Sequence, residues 1–338
     1  MLNNKKTTIK DIAKKLGIHH STVSRALRDH PDVTPKMKAL VKKTAEEMNY
    51  SPNMFARSLK NNRSNLIGVI VPEIRHHFFA DVIGGIEEVA SKHGYIILVA
   101  QSNESYEREI ENTNALIENR VAGLLVSVSQ ETHNGEHFNR YIDEGGTIVF
   151  FDRILEDVNA AKVVVDDYSG AFKATEYLIK KGYKNIAHIA GTKELSISQK
   201  RFAGYKDALK KYGLQFKKNN VVWAGFHEID GAKATEFLLK KKKRPDAIFS
   251  VNDPTAIGAY EVIERFKLQI PDDVAVIGFS NNPISAFVKP SLTTVEQPSY
   301  EMGKAAMEML ISQLNKKRRN GKKPVKILKT KLIKRNSA

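Results

Sequence analysis

The 338-residue sequence contains no cysteine. This excludes disulfides, thiolate metal sites and a thiol nucleophile. No stretch approaches the ~18 apolar residues that a membrane-spanning helix needs. The N-terminus, MLNNKKTTIK, lacks the apolar core of a signal peptide. The chain therefore reads as a soluble cytoplasmic protein. It also lacks G-x-G-x-x-G, a Walker A sequence, a nucleophile elbow and H-E-x-x-H, so an enzyme reading has little to stand on. Of the acid pairs Asp166-Asp167 and Asp272-Asp273, helix capping explains Asp167, and a turn after Pro271 explains the second pair. Nothing in the sequence assigns a cofactor or a metal.

What is present is positive charge, and it is unevenly placed. The net charge is +16. Residues 1–63 carry 14 Lys/Arg against 5 Asp/Glu, and residues 316–338 carry 11 Lys/Arg and no acid. The stretch between them has 29 basic against 33 acidic residues. A basic N-terminal block is what a phosphate-contacting module needs. The basic C-terminal stretch reads as a solvated tail, with a second DNA contact as the alternative.

Residues Ile9 to Leu27 read as a helix-turn-helix. Ile12, Leu16, Ile18 and Val23 are apolar at helical spacing, and Ala13 is small where two helices must cross. Gly17 sits where the turn requires positive φ. Thr8 with Asp11 resembles a capping box opening the first helix, which runs to Leu16. The second helix runs from about His20 to Arg28. His20, Ser21 and Arg25 lie away from Val23, Ala26 and Leu27, which leaves one face for base edges. Thr34-Pro35 opens a third helix to about Asn49, with Met37, Leu40, Val41, Thr44, Ala45 and Met48 as its buried stripe. Tyr50-Ser51-Pro52 breaks it. Residues 53–59 could form only about two helical turns, too few for stability alone, and act as a hinge.

From Asn65 the pattern changes. Val/Ile/Leu runs at 66–71, 95–100, 123–128, 147–151, 163–165, 186–190, 221–223, 247–251 and 274–279 alternate with amphipathic helical stretches. Such runs suit parallel strands buried on both faces. The class is α/β, and this many strands imply two sheets. The default ligand site is a cleft lined by the carboxyl ends of those strands.

TIKDIAKKLGIHHSTVSRAL and NYSPNMFARSLKNNRSNLIGVI resemble the lactose-repressor/purine-repressor family of bacterial transcription factors. The likeness continues through VVVDDYSGAFKATEYLIKKGY, RFAGYKDAL, VNDPTAIGAY, IPDDVAVIGFSN and PSLTTVEQP. It implies an N-terminal DNA-binding domain over 1–50, a hinge over 51–64 and a two-lobed periplasmic-binding-protein-like core over 65–338. The lobes are expected over 65–163 with 283–294, and over 164–282 with 295–338. The implied protein is a homodimer that binds a pseudo-palindromic operator. With no further helix after Ala338, a tetramerisation segment is not expected.

The resemblance also implies roles. His20, Ser21 and Arg25 take the base-reading positions, and Arg25 can donate two hydrogen bonds to guanine. Lys10, Thr22 and Ser24 suit phosphate contacts. For Thr22 and Ser24 the competing reading is ordinary helix surface. Leu59 is the minor-groove wedge. Ala56 permits close approach of a paired hinge, and Asn53, Ser58 and Lys60 can touch the groove. The effector would meet His77, Phe78, Phe79, Asp152, Arg201, Phe226, Asn252, Asp253 and Ser280. Alternatively, Asp253 caps a helix, Phe79 is core and Arg201 forms an interlobe salt bridge. The family's usual sugar-binding acid is replaced by Ser280. The arginine and threonine with which purine repressors hold their base align with Leu195 and Ile197, which disfavours a purine. A sugar or sugar derivative is expected, and Arg201 with Lys200 leaves room for an anionic one. Two other classes compete: an effector-independent architectural DNA-binding protein and a periplasmic-type solute-binding protein.

Overall fold

A computed structural model describes residues 7–50, 64–315 and 321–338. The chain divides into two compact units, Met1–Ser64 and Asn65–Ala338. In the first, α1 (Ile9–Leu16), α2 (His20–Ala26) and α3 (Pro35–Glu47) enclose a small core. Thr8 opens α1 by donating from its amide and its hydroxyl to one Asp11 carboxylate oxygen, at 2.8 and 2.6 Å. Gly17 closes α1 in the left-handed region at φ 63°, where a Cβ would be strained. Ile12, Val23 and Val41 are fully buried, and Ala13, Ala26 and Ala45 let the helices approach closely. Leu40 departs from the expected stripe and is 47% exposed. It lies about 100° around the helix from Val41, outside the narrow contact that three short helices can make.

The second unit holds two six-stranded sheets. Strands β1 (Leu66–Val71), β2 (Ile96–Gln101), β3 (Gly123–Val126), β4 (Ile148–Phe151), β5 (Ala161–Val165) and β11 (Val325–Leu328) form one, ordered β2-β1-β3-β4-β5-β11. Strands β6 (Ile186–Ala190), β7 (Val221–Trp223), β8 (Ala247–Ser250), β9 (Ala275–Ser280), β10 (Thr293–Glu296) and β12 (Lys331–Ile333) form the other, ordered β7-β6-β8-β9-β10-β12. Every pairing is parallel except β10 with β12. Helices cover both faces, so alternate residues of one strand enter different cores. Ile67, Val69 and Val71 of β1 join one cluster, and Ile70 joins the opposite one.

The first lobe carries α4 (His77–Lys92), α5 (Tyr106–Glu118), α6 (Glu136–Asp143) and α11 (Ser299–Asn315). The second carries α7 (Asp167–Lys180), α8 (Ser196–Lys211), α9 (Glu228–Leu239) and α10 (Asp253–Arg265). Helices α4 and α11 touch through glycines. A Cβ on Gly303 would meet the Val82 carbonyl oxygen at 2.0 Å.

The expected lobe limits are corrected at the second half of the chain. Segment 283–296 stays with the second lobe, because β10 pairs with β9. The chain returns to the first lobe with α11, whose Met302, Ala306, Met307 and Leu310 fill that lobe's core. The basic C-terminal stretch is also not a solvated tail over its described part. β11 adds an edge to the first sheet and β12 an edge to the second. At these edges the backbone pairs while most side chains of β11 stay exposed, so charge alone was a poor guide to order.

Candidate functional site

In the N-terminal unit the recognition face is assembled by α2. His19 caps the helix, its Nδ1 accepting from the Ser21 amide at 3.3 Å. His20 and Arg25 are exposed and Ser21 is half-buried. Arg25 lies back along the helix, within 3.4 Å of the Ser21 carbonyl and hydroxyl oxygens. These are long, weak contacts that a guanine edge could replace. Lys10 is exposed, Thr22 and Ser24 are half-buried, and Arg28 donates to the Ser24 hydroxyl at 2.5 Å. The hinge expectations on Asn53, Ala56, Ser58, Leu59 and Lys60 fall outside the described residues.

In the second unit, both sheets switch strand order beside their first strand, at β1/β3 and β6/β8. Such switch points open a crevice at the carboxyl ends of the strands. A cavity of about 180 Å3 lies between the two lobes at those ends. It is lined by His77, Phe78, Phe79, Asp152, Arg201, Phe226, Asn252 and Ser280. Asp253 is not among its walls. It is fully buried, accepting from the Asn282 amide, the Ser285 hydroxyl and the Thr294 hydroxyl at 2.7, 2.8 and 2.6 Å. Helix capping falls instead to Asn252, whose Oδ1 accepts from the Thr255 amide.

The centre of the cavity is an arginine between two rings. Arg153, missed by the sequence reading, lies 4.5 Å from the Phe226 ring centroid and 5.8 Å from that of Phe79. Its Nη1 is held by both Glu104 carboxylate oxygens at 2.8 Å. Its Nε is buried with no acceptor among the described residues, leaving a donor for a ligand. Arg201 is also engaged. Its Nε and Nη2 bind Asp167 at 2.8 and 2.7 Å, and its Nη1 binds the Val251 carbonyl oxygen. This salt bridge lies within the second lobe, not between lobes. It also corrects the reading of Asp167 as a helix cap, since Asp166 takes that role through the Ser169 amide.

The acids tell the opposite story. Asp81, Asp152 and Glu296 line the cavity, and among the described residues none is ion-paired to a lysine or arginine. Asp81 is held by His77 at 3.2 Å and by the Ser299 hydroxyl at 2.9 Å. Burial pushes the Asp152 carboxyl up to about 6, opposed by Arg153. Its nearest hydrogen-bond donor is Gln297 at 3.4 Å. Lys200 pairs with Glu156 and does not reach the cavity. Both cavity arginines thus already have a carboxylate partner, Glu104 for Arg153 and Asp167 for Arg201.

Glu296 lies beside Ser280. The two residues are register partners at the ends of β10 and β9. A carboxyl therefore lines the cavity one strand away from that position. Reading TTVE as a tenth strand would have placed it. Ile197 lines the cavity and Leu195 is buried, so that wall is apolar. Asp152, Ser280 and Asn281 all have positive φ, at 57°, 112° and 55°. Strained backbone at three cavity residues is typical of a binding site.

Residues 8–53 match the family described as bacterial regulatory proteins, lacI family. Residues 175–338 match a periplasmic binding protein-like domain. The chain is 33% identical to catabolite control protein A of Priestia megaterium over 91% of its length and 93% of that protein's. It is 34% identical to the ribose operon repressor of Halalkalibacterium halodurans, over 92% and 91% respectively. Its fold is similar to that of the transcriptional regulator CelR–cellobiose complex, with a TM-score of 0.75, 25% identity, and 98% and 100% of the two chains covered. No described helix is long and apolar enough to cross a membrane.

Proposed function

Because the chain belongs to the lacI family of bacterial regulatory proteins, we propose that it represses a carbohydrate-utilisation operon and that a sugar in the interlobe cleft sets its DNA affinity. The observation that carries the effector class is the wall chemistry. Two aromatic rings flank an arginine with an unfilled donor, and Asp81, Asp152 and Glu296, none paired with a described lysine or arginine, offer hydroxyl acceptors. Rings that stack on sugar faces, with carboxylates that accept from hydroxyls, suit a neutral sugar. A sugar phosphate or uronic acid would meet those carboxylates without a free cation to balance them.

His20, Ser21 and Arg25 would read base edges, with Lys10, Thr22 and Ser24 on phosphates. One such helix touches few base pairs, so specificity requires two copies on a pseudo-palindromic operator. Ile284 and Phe287 stand exposed on the core, surface that a second copy could cover. In the hinge, Leu59 would wedge the minor groove, with Asn53, Ala56, Ser58 and Lys60 against its walls. An enzyme, a solute carrier or an effector-free DNA binder would leave either the N-terminal unit or the cavity without a use.

A thermal-shift screen of neutral sugars, sugar phosphates and uronic acids tests this, with hits retested for their effect on operator affinity. Neutral sugars should stabilise the protein and change DNA binding. Binding by anionic sugars alone, or hits with no effect on DNA affinity, would overturn the reading.

A further inference from the structure

We propose that Glu73, His76 and His227 form a divalent-metal site, with zinc as the natural occupant, that clamps the two lobes together at the cavity mouth. The ligand atoms of these three side chains all lie within 4.8 Å of one another. His76 Nε2 is 3.0 Å from one Glu73 carboxylate oxygen, and His227 Nε2 is 3.6 Å from the other. A tetrahedral zinc ion with bonds of about 2.0 Å holds its ligands about 3.3 Å apart, so only small side-chain shifts are needed. The two imidazoles are already near-parallel, with centroids 5.4 Å apart at 17°.

The two sides of the set come from different lobes. Glu73 and His76 follow β1 in the first lobe, and His227 follows β7 in the second. An ion bound by all three favours the arrangement in which the lobes meet. Two histidines and one carboxylate leave a fourth position open, for water or for a ligand oxygen. His76 itself lines the cavity, and His227 directly follows the ring of Phe226.

A cation already bridges Glu73 and the Nδ1 edge of His227. Arg75 Nε donates to Glu73 at 3.0 Å, and Arg75 Nη2 lies 2.7 Å from His227 Nδ1. The Arg75 side chain is 65% exposed, so it can swing into solvent when a dication replaces its charge. Arg75 therefore competes with the metal. Removing it should tighten metal binding, a gain that misfolding cannot mimic.

Cobalt is the probe, because tetrahedral Co2+ absorbs visibly and zinc displaces it. The full-length protein should take up one Co2+ per chain with a tetrahedral spectrum, lost on adding Zn2+. His76→Ala and His227→Ala should each weaken binding at least about tenfold, and Arg75→Ala should strengthen it. His133→Ala, an exposed histidine elsewhere, should change nothing. Fluorophores at Lys92→Cys and Lys240→Cys, in a chain with no other cysteine, should report a shorter interlobe distance with Zn2+. Unchanged cobalt binding in His227→Ala, weaker binding in Arg75→Ala, or metal uptake with no change in that distance would overturn the clamp.

Discussion

Asp152→Asn should make the core more stable at alkaline pH while weakening effector binding. The Asp152 side chain is buried, and its carboxyl is raised from the usual 3.8 to about 6 by burial. The fold holds this proton more tightly than the unfolded chain does. The stability linked to Asp152 is therefore complete below about pH 3.8 and is lost as pH rises through about 6. One pH unit corresponds to about 1.4 kcal/mol, so keeping Asp152 ionised in the fold costs about 3 kcal/mol at pH 8. At pH 4 the cost is under about 1 kcal/mol. Asparagine is nearly isosteric, tolerates the positive φ of 57° and keeps an acceptor for Gln297. The substitution thus removes charge and little else. Urea unfolding of both proteins at pH 4 and pH 8 measures the effect. A gain confined to pH 8, together with weaker binding of the effector, is expected. An equal gain at both pH values, or none at pH 8, would refute the argument that burial of charge is the cause.

Two further outcomes test other parts of the molecule. Arg25→Ala should cost about 1–3 kcal/mol in operator binding and relax preference at one base pair per half-site, which binding-site selection would reveal. Glu104→Gln should cost about 3–5 kcal/mol of stability, because it leaves Arg153 as a buried charge without its carboxylate. Pairing that change with Arg153→Met should recover much of the loss in denaturant titrations, and no recovery would place the damage elsewhere.

The legible parts of the fold were those written in one local pattern. Capping at Thr8 and Asp11, the left-handed turn at Gly17 and the Val/Ile/Leu runs of β1 to β9 each declare themselves within a few residues. β10, β11 and β12 did not. TTVE is rich in threonine, and the last two strands lie among lysines because at a sheet edge little beyond their backbone is engaged. The lobe limits went wrong for the same reason, since they depend on where β10 pairs.

The site divides along a similar line. Residues just past a recognisable strand, such as Asp152, Phe226 and Asn252, were found because the carboxyl end of a parallel strand points to the cleft. Whether such a residue faces the cavity or the interior is a matter of rotamer and partners. Asp253 and Asn252 are neighbours, yet one lies sealed among hydroxyls and the other faces the cleft. The partners of Arg201 and Arg153 are likewise invisible in the sequence, and with them the charge balance of the cavity. Glu73, His76 and His227 come together only through the meeting of two sheets.

β11 and β12 are consecutive strands on different lobes, joined by Lys329 and Thr330. With the passages from β5 to α7 and from β10 to α11, they bring the covalent links between the lobes to three. Two plates joined at one point can swivel in any direction, but plates joined at three have few independent motions left. The two residues between β11 and β12 have almost no slack, and each strand is held by its backbone pairing, β11 to β5 and β12 to β10. Any relative lobe movement is thereby narrowed to a shallow rotation about these links. A small rotation near such a pivot becomes a larger displacement at the far rim of each lobe, as it does at the end of any lever.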